Sequence, residues 1–271
     1  MNATEHIWRL IEKTAPWWAG EAEVVRTYFK SARRTAETDM VWLSRQCFKE
    51  FWGSGVGHYD RKGVFLGQVM ALVDLAPRID VSVSRNEILD ILEGLQAEFQ
   101  HYCLFAEAYD AIRPAGAPKM NPQNLTSWPE EDELTALRYK HQDDHGAVGM
   151  RACRFTEGGY CTLFSEGMAL AGGNATDEII ARACSAVYDD EFGHMMGGIG
   201  GIADEGLSEA DWDLMEKLVV EQMKKRIHMR NGEFGHPLSA ERIAAIGRGE
   251  ITPVTFDWAR ANIPAPQHAT A

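Results

Sequence analysis

Apolar residues recur at spacings of three and four along almost the whole chain, while strict alternation over the length of a strand is scarce. The first pattern lines one face of a helix and the second is what a half-buried strand needs, so the sequence predicts an all-α fold. The one short β-like run is Ile79 to Val83. With 271 residues and 45% apolar content, the chain can bury a full core, and we read one helical domain over 1–271. A formal charge of -13 disfavours nucleic acid and anionic membranes as partners, because both select for clustered Lys and Arg. Cys47, Cys103, Cys153, Cys161 and Cys184 are odd in number, form no CxxC and sit in apolar helical runs. That usage predicts reduced thiols and a cytoplasmic protein. The N-terminal MNATEHIWRLIEK carries charges inside its apolar stretch, and nowhere do about 18 apolar residues run together, so no leader or membrane span is expected.

Breakers and caps divide the chain. Residues 5–52 read as two or three covering helices rich in Trp and Phe, broken near Pro16 and ended by the GSGVG run after Trp52. A helix A is expected from Asp60 to Ala76, stopped by Pro77. Ser84 with Glu87 forms a capping box that opens helix B, which runs to Ile112. The proline-rich segment after Ile112 suits a long crossover. Helix C is expected from Leu134 to Ala171, and helix D from a Thr176 cap to Gly197, with Asp177 and Glu178 in its first turn. A and B, then C and D, make two hairpins around a core of about 60–200. A last helix from Ser208 to Arg230 precedes an irregular surface tail.

Two Glu-x-x-His pairs stand out, Glu98 with His101 on helix B and Glu191 with His194 on helix D. Residues three apart project from one helix face, so each pair can clamp a metal ion. Bundles that hold two irons take such a pair from each of two helices and a lone Glu from each of the other two. Helix C supplies Glu157, in RFTEGGY. Glu157 lies about 15 residues before the C–D turn and Glu191 about 15 after it, so at about 1.5 Å rise per residue they share a height. Glu166, nine residues on, points to the opposite face. Carboxylate and imidazole donors without thiolate suit iron in both common oxidation states and leave coordination positions open to O2. Burying three glutamates without a cation would be costly. Asp190, just before Glu191, can orient a ligating histidine from behind.

In AEFQH, TEGG and DDEFGH the chain resembles the ferritin-like di-iron carboxylate superfamily, and in its intervals especially the ribonucleotide reductase small subunit and the bacterial di-iron monooxygenases. The resemblance covers roughly residues 60–200. It implies a ferritin-like four-helix bundle with extra N- and C-terminal helices, with Glu98, His101, Glu157, Glu191 and His194 as ligands of two iron ions, or of manganese in their place. It implies Asp190 hydrogen-bonded to the helix B histidine. It also implies an O2-activating oxidase or oxygenase that acts on a small organic substrate and takes electrons from a ferredoxin or flavin reductase. A homodimer is compatible with it.

Two positions depart from that pattern. Helix A should give a carboxylate near Val64, where none stands; Asp60 is the favoured donor, and Gln68 and Asp74 stay open. Phe105 stands where a reductase subunit carries its radical tyrosine, which counts against that function. The missing helix A ligand also admits a heme-oxygenase-like helical bundle with ligands from three helices, although Val187 replaces the first histidine of its third-helix motif. A ferroxidase or iron-storage protein and a metal-free structural bundle are the other readings of the same residues. The polar run His141, Asp143, Asp144 and His145 reads as a solvated face. Arg226, His228, Arg230 and Glu233 could bind a substrate carboxylate or a partner, or serve the helix dipole.

Overall fold

The computed structural model describes residues 1–53, 61–156 and 159–255, with the backbone alone at Gly159 and Tyr160. Among these residues nine α-helices form an all-α bundle and there is no strand; Ile79 and Val83 make only an isolated bridge within a turn. The helices are α1 (Ala3–Phe29), α2 (Ala36–Trp52), α3 (Val64–Leu75), α4 (Arg85–Ile112) and α5 (Pro129–Phe155). They continue as α6 (Gly159–Met168), α7 (Ala175–Gly200), α8 (Glu209–Glu233) and α9 (Ala240–Gly247). None of the described helices is long and apolar enough to cross a membrane.

Several boundaries differ from the sequence expectation, each for a local reason. Pro16 does not break α1. A mid-helix proline loses one backbone hydrogen bond, but α1 packs along α8, α6 and α9, and that burial outweighs the defect. α7 is capped by Asn174 rather than Thr176, because the Asn174 carbonyl oxygen accepts from the backbone amides of both Thr176 and Asp177. Helix C is two helices. α5 turns sharply at Gly146 (φ 53°, ψ -124°), a conformation that glycine reaches without a Cβ penalty. Gly149 then lies so close to the His141 carbonyl that a Cβ there would meet its oxygen at 1.9 Å. The expected irregular tail contains α9, whose Ile243 and Ile246 are buried and whose Gly247 rests on Trp17 of α1.

The pairing of helices also corrects the expected hairpin. α3 does pack on α4, but the larger partner of α4 is α2, and α4 and α6 both pack on α7. The segment read as a cover therefore belongs to the core, where Trp42 of α2 meets Phe105 of α4 and Phe234. α1, α5 and α8 close the opposite side.

That side is tied by buried charge. Glu21 of α1 accepts hydrogen bonds from Arg226 (3.0 and 3.1 Å) and Arg230 (3.3 Å) of α8, and all three side chains are fully buried. Arg230 also pairs with Glu233, whose other oxygen lies 2.7 Å from Lys49 Nζ of α2. Arg226, Arg230 and Glu233, left open between ligand binding and dipole pairing, are thus internal braces. Burial alone would raise the Glu21 carboxyl, but the two guanidinium groups outweigh it and hold it below its ordinary value. For Lys49, burial and then Arg230 push the ammonium down to about 8, against the pull of Glu233. His141 is not on a solvated face either. It is 3% exposed, 3.2 Å from Glu221 and 2.9 Å from the Gln222 amide, whereas Asp143 and Asp144 are exposed.

Removing one partner from a buried ion pair strands the other in low dielectric, at a cost of about 3–5 kcal/mol. Glu21→Ala, which leaves two buried guanidinium groups without their shared acceptor, is expected to lose stability of that order in equilibrium urea unfolding. Glu250→Ala, which removes an exposed partner of Arg248, is expected to change it by less than about 1 kcal/mol.

Candidate metal centre

Four side chains from three helices converge in the interior: Glu50 of α2, Glu98 and His101 of α4, and Glu191 of α7. Each offers one donor atom, and these atoms all lie within 4.8 Å of one another. The 3.6-residue repeat puts Glu98 and His101 on the face of α4 that meets α2 and α7. Phe105, one turn further on, is fully buried and stacks on Phe164 of α6, which fixes the roll of that face.

His101 is the centre of the group. Its Nε2 lies 3.0 Å from Asp190 Oδ2 on α7, so with the carboxylate accepting, the ring proton sits on Nε2. The Nδ1 lone pair is then directed into the cluster, 3.1 Å from Glu191 Oε1 and 3.8 Å from Glu50 Oε2. This buried nitrogen makes no hydrogen bond of acceptable geometry. A neutral imidazole braced by a carboxylate on one nitrogen and facing acidic oxygens with the other is the arrangement of a metal-ligating histidine. Without a metal, burial works against an imidazolium, but the carboxylates of Glu191 and Glu50 prevail and raise the His101 pKa. Burial likewise opposes ionisation of Glu191, and His101 and His194 overcome it, which lowers that carboxyl.

His194 stands at the edge. Its side chain is 43% exposed, its Nδ1 lies 3.9 Å from Glu191 Oε1, and its ring centre is 6.5 Å from that of His101. The neighbouring Glu191 carboxylate raises its pKa. Glu191 thus stands between two imidazoles. Asp60 and Glu157 lie outside the described residues, as do Gly158 and the Tyr160 side chain. Of the other candidates, Asp74 is half exposed and paired with Arg78, and Gln68 is buried on α3. Glu166 turns away to pair with Arg26.

Glu50 was missed because no motif marks it. One signal was present: Trp42, Gln46 and Glu50 are spaced by four, so a polar pair continues a stripe that Leu43 and Cys47 make apolar. Both are buried, and the Gln46 amide donates to Glu50 Oε1, which leaves Oε2 on the His101 side.

The donor set fits a first-row metal with mixed oxygen and nitrogen preference. Three carboxylates, Glu50 buried and Glu98 and Glu191 partly buried, face the His101 imidazole, and a divalent cation would balance the surplus. No protein-family model, curated protein or solved structure matches this chain.

Because Glu191 and Glu50 favour the protonated form of His101 in the metal-free centre, a metal ion has a proton to displace there. Metal binding is therefore expected to release protons, and apparent affinity to climb as pH rises, about tenfold per unit for each proton displaced. Calorimetric titration of Co(II) in two buffers of different ionisation enthalpy measures the number. A Glu50→Gln variant, with less charge holding the proton, is expected to release fewer.

Proposed function

We propose that this chain is a ferritin-like di-iron protein that activates O2 to oxidise a small organic substrate. The observation that carries the reading is the buried Glu50, Glu98, His101 and Glu191 group, with Asp190 behind His101 and His194 beside Glu191. Glu50 supplies the carboxylate wall that the sequence left open near Val64, which favours a four-helix ligand set over the three-helix heme-oxygenase-like alternative. Glu191, between the imidazoles of His101 and His194, would hold metal together with either histidine. The fourth helix would contribute Glu157.

A bound pair of irons supplies two-electron redox chemistry and an O2 binding place. The chain's own residues prepare for it. Asp190 keeps the His101 proton on Nε2 and so the Nδ1 lone pair directed inward. The Gln46 amide holds one oxygen of Glu50 and leaves the other toward His101. Phe105, Phe164, Cys161 and Val187, all fully buried, keep water from that side of the cluster. The exposed side of His194 leaves a route in from solvent. Electrons would come from an external donor such as a ferredoxin or flavin reductase.

Purified protein is expected to hold about two iron ions per chain, and the Glu98→Ala, Glu191→Ala double variant to hold far less. Equal metal in both would remove the metal reading. Stopped-flow mixing of the ferrous protein with O2 is then expected to give a transient absorption that decays faster with the right substrate class. Formation of ferric mineral instead would make the protein an iron store.

A further inference from the structure

Helix α3 is apolar on nearly every side, yet little of it is buried. Its run VFLGQVMALV holds no charge, and of residues 64–99, which make α3, the following turn and the first half of α4, only Gly67, Gln68 and Val83 are buried. A helix that is apolar all round normally has neighbours all round. No described helix is long and apolar enough to cross a membrane, and α3 packs on α2 and α4 with one face only. The other face carries Leu66, Val69, Met70 and Val73, with Leu66 38% and Val73 71% exposed and the two between them half-buried. That i, i+3, i+4, i+7 spacing is the stripe one helix presents to another.

α4 widens this surface. The Phe65 and Phe99 rings lie 5.3 Å apart and Gln68 Oε1 is 3.4 Å from where a Cβ of Gly94 would sit, so the two helices run antiparallel with 65 beside 99 and 68 beside 94. Leu89, Leu92 and Phe99, all exposed, therefore fall along the same length as the α3 stripe. Among the described residues, six of the eight exposed large hydrophobic side chains lie in this one hairpin, Val81 in its turn included. Single exposed apolar residues need no explanation, but a contiguous set marks an interaction surface.

The stripe is its own complement. Turned end for end about a point between Val69 and Met70, Leu66 falls on Val73 and Val69 on Met70, which is the condition for a two-fold interface. The charges at its ends agree with that arrangement. Lys62 lies one turn before Leu66 and Asp74 directly follows Val73, so antiparallel pairing sets opposite charges together at both ends, whereas parallel pairing sets like against like. No charge stands between them, so the net charge of -13 does not act across the axis. A standard interface takes about 20–30 residues a side, and the partly exposed surface of 64–99 can supply them. An interfacial membrane helix instead carries Lys and Arg on its polar side, and here the neighbouring α4 exposes Glu87, Asp90 and Glu93. We propose that a second copy of this chain covers the face, with α3 packed antiparallel on its counterpart and the α4 of each subunit alongside.

Sedimentation equilibrium of the full chain over a range of concentrations tests this, with circular dichroism on the same samples to show that each variant stays helical. Wild type is expected at twice the 30.2 kDa of one chain. Leu66→Glu and Val73→Lys put their charges where the helix dipole favours them, so neither weakens α3 itself. Each sets a charge against an apolar residue of the partner and is expected to make the dimer dissociate at least about tenfold more readily. The double variant pairs Glu with Lys across the axis twice and is expected to recover most of that loss, because positions 66 and 73 of one helix are about 10 Å apart and do not pair within a chain. Wild type that stays monomeric at every concentration overturns the proposal, and flotation of that monomer with phosphatidylcholine vesicles would assign the face to a membrane. A dimer that both single variants leave intact places the interface elsewhere. Single variants that dissociate without recovery in the double variant overturn the antiparallel pairing.

Discussion

Buried carboxylates are neutralised in two different ways on the two sides of α2. On one side Glu21, Glu131 and Glu233 lie among Lys49, Arg138, Arg226 and Arg230, all nearly or fully buried. On the other, Glu50, Glu98 and Glu191 lie around a single imidazole. The desolvation cost of an uncompensated buried charge far exceeds what one helix contact returns. The first cluster is complete within the protein and fixes α1, α2 and α8 relative to each other. The second is short of positive charge, and that shortage is the physical basis for placing metal there. Lys49 and Glu50 are adjacent in sequence but face different clusters, so the brace on one side sets the rotation of α2 that delivers the ligand on the other.

The rest of the fold serves that arrangement. α4 enters the cluster through Glu98 and His101 because Phe105 is locked against Trp42 and Phe164 one turn later. α7 brings Glu191 inward and leaves Asp190 on its flank, where it fixes the tautomer of His101. His194 and Phe99 beside the cluster are both partly exposed.

Much of this was legible in the sequence, and the remainder was not for definite reasons. The apolar period announced helices, and the caps at Ser84 and Ser208 fixed the starts of α4 and α8. The i, i+3 spacing put Glu98 with His101 on one face, whereas the height match expected of Glu157 and Glu191 falls on a residue outside the described ones. Glu50 escaped because a lone carboxylate has no spacing signature, and because the whole of α3 intervenes between α2 and α4. A hairpin of nearest neighbours was the simpler reading, and it drew the search for the missing carboxylate to Val64. The buried role of Arg226 and Arg230 was hidden for a related reason. Their partner Glu21 is some two hundred residues away, and a cation near a helix end looks alike whether it meets solvent, a ligand or a buried acid. The break in α5 was written in Gly146, but a single glycine within a helical period does not reveal that its φ is positive.

Anomalous X-ray diffraction from crystals of the full chain grown with ferrous iron or Co(II) tests the central claim most directly. The account predicts a peak among Glu50, Glu98 and Glu191, bonded to His101 through Nδ1 at about 2.0–2.2 Å, with Asp190 still on Nε2. A second peak is predicted on the His194 side of Glu191. Metal found elsewhere, or an ordered cluster that stays metal-free while His101 remains a protonated partner of Glu191, would contradict it.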